Sequence, residues 1–234
     1  MNIIKARYEI LSPADLKGEG KKQIYESIER AGRTCYKSEG SIREGSAARF
    51  VAALVRRHHE AMLEHASLTV RFTVDRGITH ELVRHRVASF AQESTRYCNY
   101  SSDKFGNSVT FIDLRPGMME DPVVSALPKE EFEAVVTEWL SACEDAQRHY
   151  LAMLEKGATP QIARSVLPSC VKSEIVVTAN IREWRHILAL RAAGTTGAPH
   201  PQMTEIMVPL LRELAEALPE CFGDLLPREG DEPR

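Results

Sequence analysis

The sequence contains few cysteines, and none of them is spaced as in a metal or redox site. No two form a C-x-x-C pair, and their number is odd; they are Cys35, Cys98, Cys143, Cys170 and Cys221. This set argues against a disulfide framework and against a cysteine-based zinc site. It is typical of a protein in a reducing compartment, and we expect a cytoplasmic location.

Long apolar runs are also missing. No stretch reaches the roughly 18 apolar residues that a membrane-spanning helix needs. The N-terminus, MNIIKARYEILS, contains neither the apolar core nor the cleavage site of a secretory signal. We therefore expect no membrane partner.

Familiar nucleotide, hydrolase and zinc motifs are absent as well. There is no Walker A loop and no G-x-S-x-G, and Gly18-x-Gly20 lacks the third glycine of a dinucleotide-binding loop. His59-Glu60 begins a zinc-protease motif, but Leu63 stands where the second histidine is required. No metal site is predicted.

Neither the charge nor the aromatic content favours nucleic acid as a partner. The formal net charge is −3, and aromatic residues make up 6% of the chain. Binding to nucleic acid depends on basic surface, and binding to single strands also needs stacking aromatics. An anion-binding role must therefore come from a local cluster of basic residues.

Helix and strand periodicities are nevertheless clear. Helical spacing of apolar residues predicts helices at 20–37, 43–63, 129–155, 180–193 and 203–218. Another helix is expected to start at Gly77 and to run into the Arg84-His85-Arg86 segment. Alternation predicts strands at 2–11, 65–74 and 172–179, and a short strand near 109–112. The clearest helix is 129–155, whose apolar stripe comprises Phe132, Val135, Val136, Trp139, Cys143, Ala146, Tyr150 and Leu154.

The order of these elements does not follow a regular strand–helix alternation. It predicts an α+β fold in which helices surround an antiparallel or mixed sheet. We expect a single domain over residues 1–226, followed by a charged tail at 227–234 that frays.

One segment, residues 84–97, concentrates polar side chains. It reads RHRVASFAQESTRY, with three arginines, a histidine and several neutral donors. This mixture suits a phosphate together with a hydrogen-bonding ring, because arginine binds oxyanions in a bidentate manner and amides or hydroxyls fix orientation. On a helix, Arg84 and Arg86 would not share a face, so they would serve different ligands or different subunits. The residues alone leave open a solvated basic stretch.

This segment resembles the signature of flavin-dependent thymidylate synthases, Arg-His-Arg-x-x-Ser-x-Asn-x-x-Ser-x-Arg. The matching positions are Arg84, His85, Arg86, Ser89, Ser94 and Arg96. Further matches cover roughly residues 30–215; they are Glu64-His65, Ala163-Arg164-x-x-Leu167-Pro168, Thr178-x-Asn180-x-Arg182, His186, Leu190-Arg191 and His200-x-Gln202.

The resemblance implies an enzyme that methylates dUMP to dTMP. Its cofactor would be FAD, its co-substrates NADPH and methylenetetrahydrofolate, and its assembly a homotetramer with shared active sites. The resemblance places FAD at Arg84, His85, Arg86, Asn180, Arg182, His186, His200 and Gln202. It places the nucleotide at Glu81, Gln92, Ser94, Arg96, Arg164 and Arg191. Arg96 and Arg164 would bind the phosphate, and Arg191 would be the catalytic residue at the uracil edge.

Three positions depart from the family pattern. Glu81 replaces a glutamine, Ala91 replaces the signature asparagine, and Gln92 replaces the glutamate that usually follows it. These changes leave open a related methylase of another uridine monophosphate, of the UMP type. A non-catalytic nucleotide- or RNA-binding protein is the alternative from a different class.

Overall fold

The structure, a computed structural model, describes residues 1–227. Within this range the strands are β1 (Asn2–Ile4), β2 (Arg7–Ser12), β3 (Ser67–Asp75), β4 (Ala88–Gln92), β5 (Thr110–Ile112) and β6 (Lys172–Asn180). The helices are α1 (Glu19–Tyr36), α2 (Ser46–Arg56), α3 (Arg76–Leu82), α4 (Arg115–Glu120), α5 (Lys129–Glu155), α6 (Pro160–Ala163), α7 (Ile181–Arg191), α8 (Pro201–Ala217) and α9 (Pro219–Phe222). None of these helices combines the length and the apolar composition needed to cross a bilayer.

The strands form two sheets, and together with the helices they confirm the predicted α+β class. In the smaller sheet, β1 and β5 run parallel, with Asn2 opposite Thr110 and Ile4 opposite Ile112. The larger sheet has the order β2-β3-β6-β4. The prediction of one strand over 2–11 is wrong, because β1 and β2 belong to different sheets. Apolar alternation continues across the break between them, so the pattern does not reveal it.

The described chain divides into two compact units. Unit 1 comprises residues 1–7, 72–84 and 91–175, and unit 2 comprises residues 8–71, 85–90 and those from 176 onward. The strands β3, β4 and β6 each contribute residues to both units. A single catalytic domain over 1–226 stays a prediction, and the predicted tail lies, except for Pro227, outside the described residues.

In unit 1, the long helix α5 packs beside the small sheet. The bounds of α5 match the predicted helix, and its buried residues are Val136, Cys143 and Tyr150. The predicted apolar stripe is buried only in part, because Val135 is 42% exposed. The helix ends where Gly157 adopts a φ of +92°, a value that a residue with a Cβ rarely adopts.

In unit 2, helices α1, α2, α7, α8 and α9 pack against one another. Trp184 of α7 is fully buried and donates its indole N–H to the carbonyl of Leu68 at 3.0 Å. This bond fixes α7 against β3, and the position of α7 decides where the candidate flavin residues lie.

Two predicted helices end early. The predicted helix 43–63 stops at Arg56, and a 3-10 segment follows at Glu60–His65. Helix α3 ends at Leu82, so Arg84, His85 and Arg86 lie in a turn rather than on a helix. The argument from helical spacing for two separate arginine roles therefore does not apply. The strand β4 that follows the turn was not predicted.

Candidate active site

The predicted site residues fall in both units. Unit 1 holds Arg84 and most predicted nucleotide residues, which are Glu81, Gln92, Ser94, Arg96 and Arg164. Unit 2 holds the other predicted flavin residues and the predicted catalytic Arg191; the flavin residues are His85, Arg86, Asn180, Arg182, His186, His200 and Gln202.

Unit 2 contains a polar cleft of about 490 Å³. Three predicted flavin residues line it, namely Asn180, Arg182 and His186, together with Glu60, Glu64, Val87, Glu183, Arg185 and Ala189. A volume in this range is typical of a small-molecule site. The cleft offers amide, imidazole and guanidinium donors, which suit the phosphates and polar ring edges of a dinucleotide.

The junction of β6 and α7 brings these donors together. Asn180 is the N-cap of α7, and its side-chain oxygen accepts the backbone N–H of Glu183 at 2.8 Å. Arg182 and His186 are exposed and stand four residues apart, so they share one face of α7. The Asn180 cap therefore fixes where α7 begins, and the helical repeat places Arg182 and His186 side by side.

The two arginines of this cleft have different surroundings. Arg185 is buried, and it forms a bidentate ion pair with Asp224 at 2.7 and 2.8 Å. Arg182 is about half exposed and bonds Glu64 at 2.6 Å. Exposed ion pairs of this kind contribute only about 0–1 kcal/mol, so an anionic ligand can take the place of Glu64. Arg185 therefore stabilises the fold, whereas Arg182 is able to bind a ligand.

Arg191 is oriented by a buried histidine. Its Nε–H donates to Nε2 of His85 at 3.2 Å. Burial, reinforced by the nearby charges of Arg191 and His186, lowers the pKa of His85 to about 4. The imidazole is therefore neutral near pH 7, and its single proton is on Nδ1, which lies 3.8 Å from a carboxylate oxygen of Glu183. Burial raises the pKa of Glu183 above its usual range.

Unit 1 contains a second polar cleft, of about 470 Å³. Arg164 donates from Nη1 to the hydroxyl of the buried Thr95 at 3.2 Å there. The remaining lining residues are Arg76, His80, Gln161, Ser165, Leu167 and Val171. The sequence analysis missed Arg76 and His80, although their spacing of four residues at the start of a helix places them on one face.

Two of the predicted nucleotide residues lie in a tight turn after β4. The carbonyl of Ser94 accepts the N–H groups of Tyr97 at 3.2 Å and Cys98 at 2.9 Å. The hydroxyl of Ser94 accepts the N–H of Arg96 at 3.3 Å. The Arg96 side chain is exposed, with its guanidinium carbon 5.4 Å from the centre of the Tyr97 ring. We call residues 93–98 the Ser94 turn.

Other predicted nucleotide residues are placed differently. Gln92 donates its amide N–H groups to the hydroxyls of Thr79 at 2.8 Å and Ser173 at 3.2 Å. Both of its donors are therefore used inside the protein, and its role toward a nucleotide stays a prediction. Glu81 is partly buried on α3.

The remaining flavin positions lie outside the lining of the unit 2 cleft. Arg84 and Arg86 are exposed in the turn before β4. His200 is the N-cap of α8, and its Nδ1 accepts the N–H of Gln202 at 3.2 Å. Across residues 1–227 there is no group of three or more His, Cys, Asp or Glu side chains that could hold a metal ion.

Comparison with known proteins gives a consistent match. The model of the family described as "Thymidylate synthase complementing protein" matches residues 21–220. The flavin-dependent thymidylate synthase of Corynebacterium glutamicum is 36% identical over 201 residues, which is 84% of this chain and 78% of that protein. The enzyme of the same name from Mycobacteroides abscessus is 32% identical over 204 residues, again 84% of this chain and 78% of that protein.

Solved structures share the fold. The UMP/dUMP methylase PolB from Streptomyces cacaoi, bound with 5-Br dUMP, superposes with a TM-score of 0.74 at 24% identity and covers 96% of this chain and 97% of that one. The same protein bound with 5-Br UMP gives a TM-score of 0.73 at 21% identity, with the same coverage of 96% and 97%.

Proposed function

Because this chain belongs to the flavin-dependent thymidylate synthase family, an FAD-dependent family of methyltransferase-type enzymes, we propose that it methylates carbon 5 of dUMP to give dTMP. Methylenetetrahydrofolate donates the carbon, and NADPH supplies the reducing equivalents. The observation that carries the proposal is the pairing of Arg164 with Thr95 in a polar cleft of unit 1. That cleft combines a guanidinium and a hydroxyl, which are the donors that a nucleotide phosphate requires.

The donor chemistry of the unit 2 cleft fits FAD. Arg182, His186 and the amide nitrogen of Asn180 would hold the cofactor there. Arg84, His85, Arg86, His200 and Gln202 complete the proposed flavin set. When bound, the flavin supplies the redox chemistry, and the protein supplies binding and orientation.

The proposed nucleotide site has residues that bind the phosphate and residues that bind the base. Arg96 and Arg164 bind the phosphate, and Ser94 adds a hydroxyl to the same group. Glu81 and Gln92 complete the nucleotide-binding set.

Arg191 is the proposed catalytic residue. Its guanidinium would stabilise the negative charge that develops on the pyrimidine as carbon 5 is activated. Neutral His85 accepts its Nε–H and so holds the guanidinium plane in one orientation. A protonated His85 would repel Arg191 instead, so the low pKa of His85 supports this arrangement.

The assembly and location are also proposals. A homotetramer with shared active sites would fit a chain whose flavin and nucleotide residues lie on several elements. A cytoplasmic location is supported by the cysteines, all five of which are free thiols in the described chain.

A UMP-type methylase is the second candidate. The departures at Glu81, Ala91 and Gln92 favour it, because they change polar groups in the segment proposed to contact the nucleotide. The internal hydrogen bonds of Gln92 add to this, since its amide donors are already used.

Release of tritium from 5-labelled nucleotides tests the proposal and separates the two candidates. The FAD-loaded protein, given NADPH and methylenetetrahydrofolate, should release label from dUMP faster than from UMP. Faster release from UMP would favour the second candidate. No release from either nucleotide would overturn both.

A further inference from the structure

We propose that Glu93 and Lys172 form a positioning pair that holds the Ser94 turn in its phosphate-binding shape. The inference rests on the proposed function, because it concerns how Ser94 and Arg96 are presented to the nucleotide. Neither Glu93 nor Lys172 is among the residues that the sequence analysis or the family resemblance assigns to the site.

Glu93 is anchored at three points. Its carboxylate accepts hydrogen bonds from the ammonium of Lys172 at 2.7 Å and from the hydroxyl of Tyr100 at 3.0 Å. Its backbone N–H donates to the carbonyl of Glu174 at 2.8 Å. Lys172 and Glu174 both belong to β6, so Glu93 fixes the start of the Ser94 turn to that strand.

Tyr100 fixes the other end of the turn. It is buried, and its backbone N–H donates to the hydroxyl of Tyr150 on α5 at 3.3 Å. Its ring also lies edge-on to Phe105 at 5.2 Å. The carboxylate of Glu93 therefore bridges the start of the turn to a residue two positions past its end, and Ser94, Thr95 and Arg96 lie between the anchors.

The ion pair is shielded from water. The side chains of Lys172 and Glu93 are only 18% and 12% exposed. Removing one member of such a pair leaves the other charge poorly solvated, so the remaining group must move or recruit water. Because Glu93 adjoins Ser94 directly, a shift of its carboxylate displaces the turn that carries the phosphate donors.

Glu174 offers a matched control. Its carboxylate bonds the same Lys172 at 3.2 Å, but its side chain is 39% exposed, and this ion pair joins it to Lys172 rather than to a residue of the Ser94 turn. The contact from Glu174 to the turn is made by its backbone carbonyl, which Glu174→Gln retains. This variant removes one charge beside Lys172 and leaves the proposed anchors intact.

The test measures the affinity of the FAD-loaded protein for dUMP and for deoxyuridine, which lacks the phosphate. Glu93→Gln and Lys172→Met should each weaken dUMP binding by about tenfold, the usual scale for a lost charged contact, and should leave deoxyuridine binding unchanged. The KM for dUMP should rise by a similar factor, with kcat near the wild-type value. Glu174→Gln should bind dUMP as the wild type does.

A second arm shows whether Glu93 acts through the turn. In an Arg96→Ala background, adding Glu93→Gln should cause a smaller loss of dUMP affinity than it causes in the wild type, because one of the two contacts that Glu93 positions, Arg96 and Ser94, is already gone. Full additivity, or equal losses for dUMP and deoxyuridine, would overturn the inference in favour of a general structural role. If the wild type binds dUMP and Glu93→Gln binds it equally well, the positioning role of Glu93 is overturned while the proposed function stands. Failure of the wild type to bind dUMP would overturn both.

Discussion

Arg96 and Arg191 are assigned to opposite ends of the nucleotide, and substitution should separate their roles. If Arg96 binds the phosphate as proposed, Arg96→Ala removes a charged contact of about 1.5–3 kcal/mol, so nucleotide affinity should drop roughly ten- to a hundredfold. Arg191→Ala should instead depress turnover beyond its effect on binding, because charge develops at the base during the reaction. Binding titrations and single-turnover rates measure the two effects, with FAD content as the control. Equal losses confined to affinity would contradict the division of roles.

Neutral His85 should make the protein sensitive to acid. The pKa of His85 is lowered from 6.5 to about 4 in the folded chain, so the unfolded chain takes up the proton first as the pH decreases. The contribution of His85 to the free energy of unfolding is fully present above pH 6.5. It is lost as the pH falls from 6.5 to 4, and the total loss is up to roughly 3 kcal/mol.

The His85→Gln variant isolates this effect from the titration of carboxylates. Glutamine offers an acceptor to Arg191 and does not ionise in this range. Thermal unfolding midpoints of the two proteins, measured from pH 7 to pH 4, should diverge, with the wild type losing more stability. Parallel pH profiles would show that His85 already titrates normally in the folded protein.

At the residue scale, the sequence pattern identifies the charged groups better than it identifies their partners. Arg164 was predicted to bind the nucleotide, whereas its partner in the structure, Thr95, was only one of several neutral donors in the segment 84–97. The internal bonds of Gln92 could not be predicted, because Thr79 and Ser173 are distant from it in sequence. The same holds for the pairing of His85 with Arg191.

Among the elements, the junction of β6 and α7 combines a cap with a proposed ligand contact. Asn180→Ala should destabilise the protein by about 1 kcal/mol through loss of the N-cap, and it should also weaken FAD binding. Asn180→Ser keeps an oxygen for the cap but lacks the amide donors, so it should retain stability and still lose FAD affinity. Thermal midpoints and flavin titrations measure both effects. Normal FAD affinity in both variants would remove Asn180 from the flavin set.

Long elements with one strong pattern were the predictable ones. The bounds of α5 were predicted from its apolar stripe, and β6 was predicted to within one residue. The short strand β4 was missed because its five residues follow a basic turn whose polar residues obscure any alternation. The predicted helix at α3 was too long, because nothing in the sequence marks its end at Leu82.

For the whole molecule, we predict a yellow multimer. The proposed flavin and nucleotide residues are spread over many elements, and the family resemblance implies sites shared between chains. Sizing chromatography with detection at flavin wavelengths should show FAD eluting with a tetramer. A colourless monomer that gains no flavin on incubation would contradict this prediction.

The division into two compact units was not visible in the sequence. Each unit is assembled from separate stretches of chain, and three strands contribute to both. Composition and periodicity are local properties, so they do not reveal which distant segments pack together. The class of fold was predictable for the opposite reason, because it depends on the kinds and the order of the elements.

We propose that this chain transfers a one-carbon unit to carbon 5 of dUMP with the help of FAD. Methylenetetrahydrofolate with an isotopically labelled methylene carbon tests it most directly, when FAD-loaded protein, NADPH and dUMP are present. Mass spectrometry of the products should show labelled dTMP, and omission of NADPH or removal of FAD should abolish it. NADPH oxidation without labelled dTMP, or dTMP formed equally well without flavin, would contradict the proposed reaction.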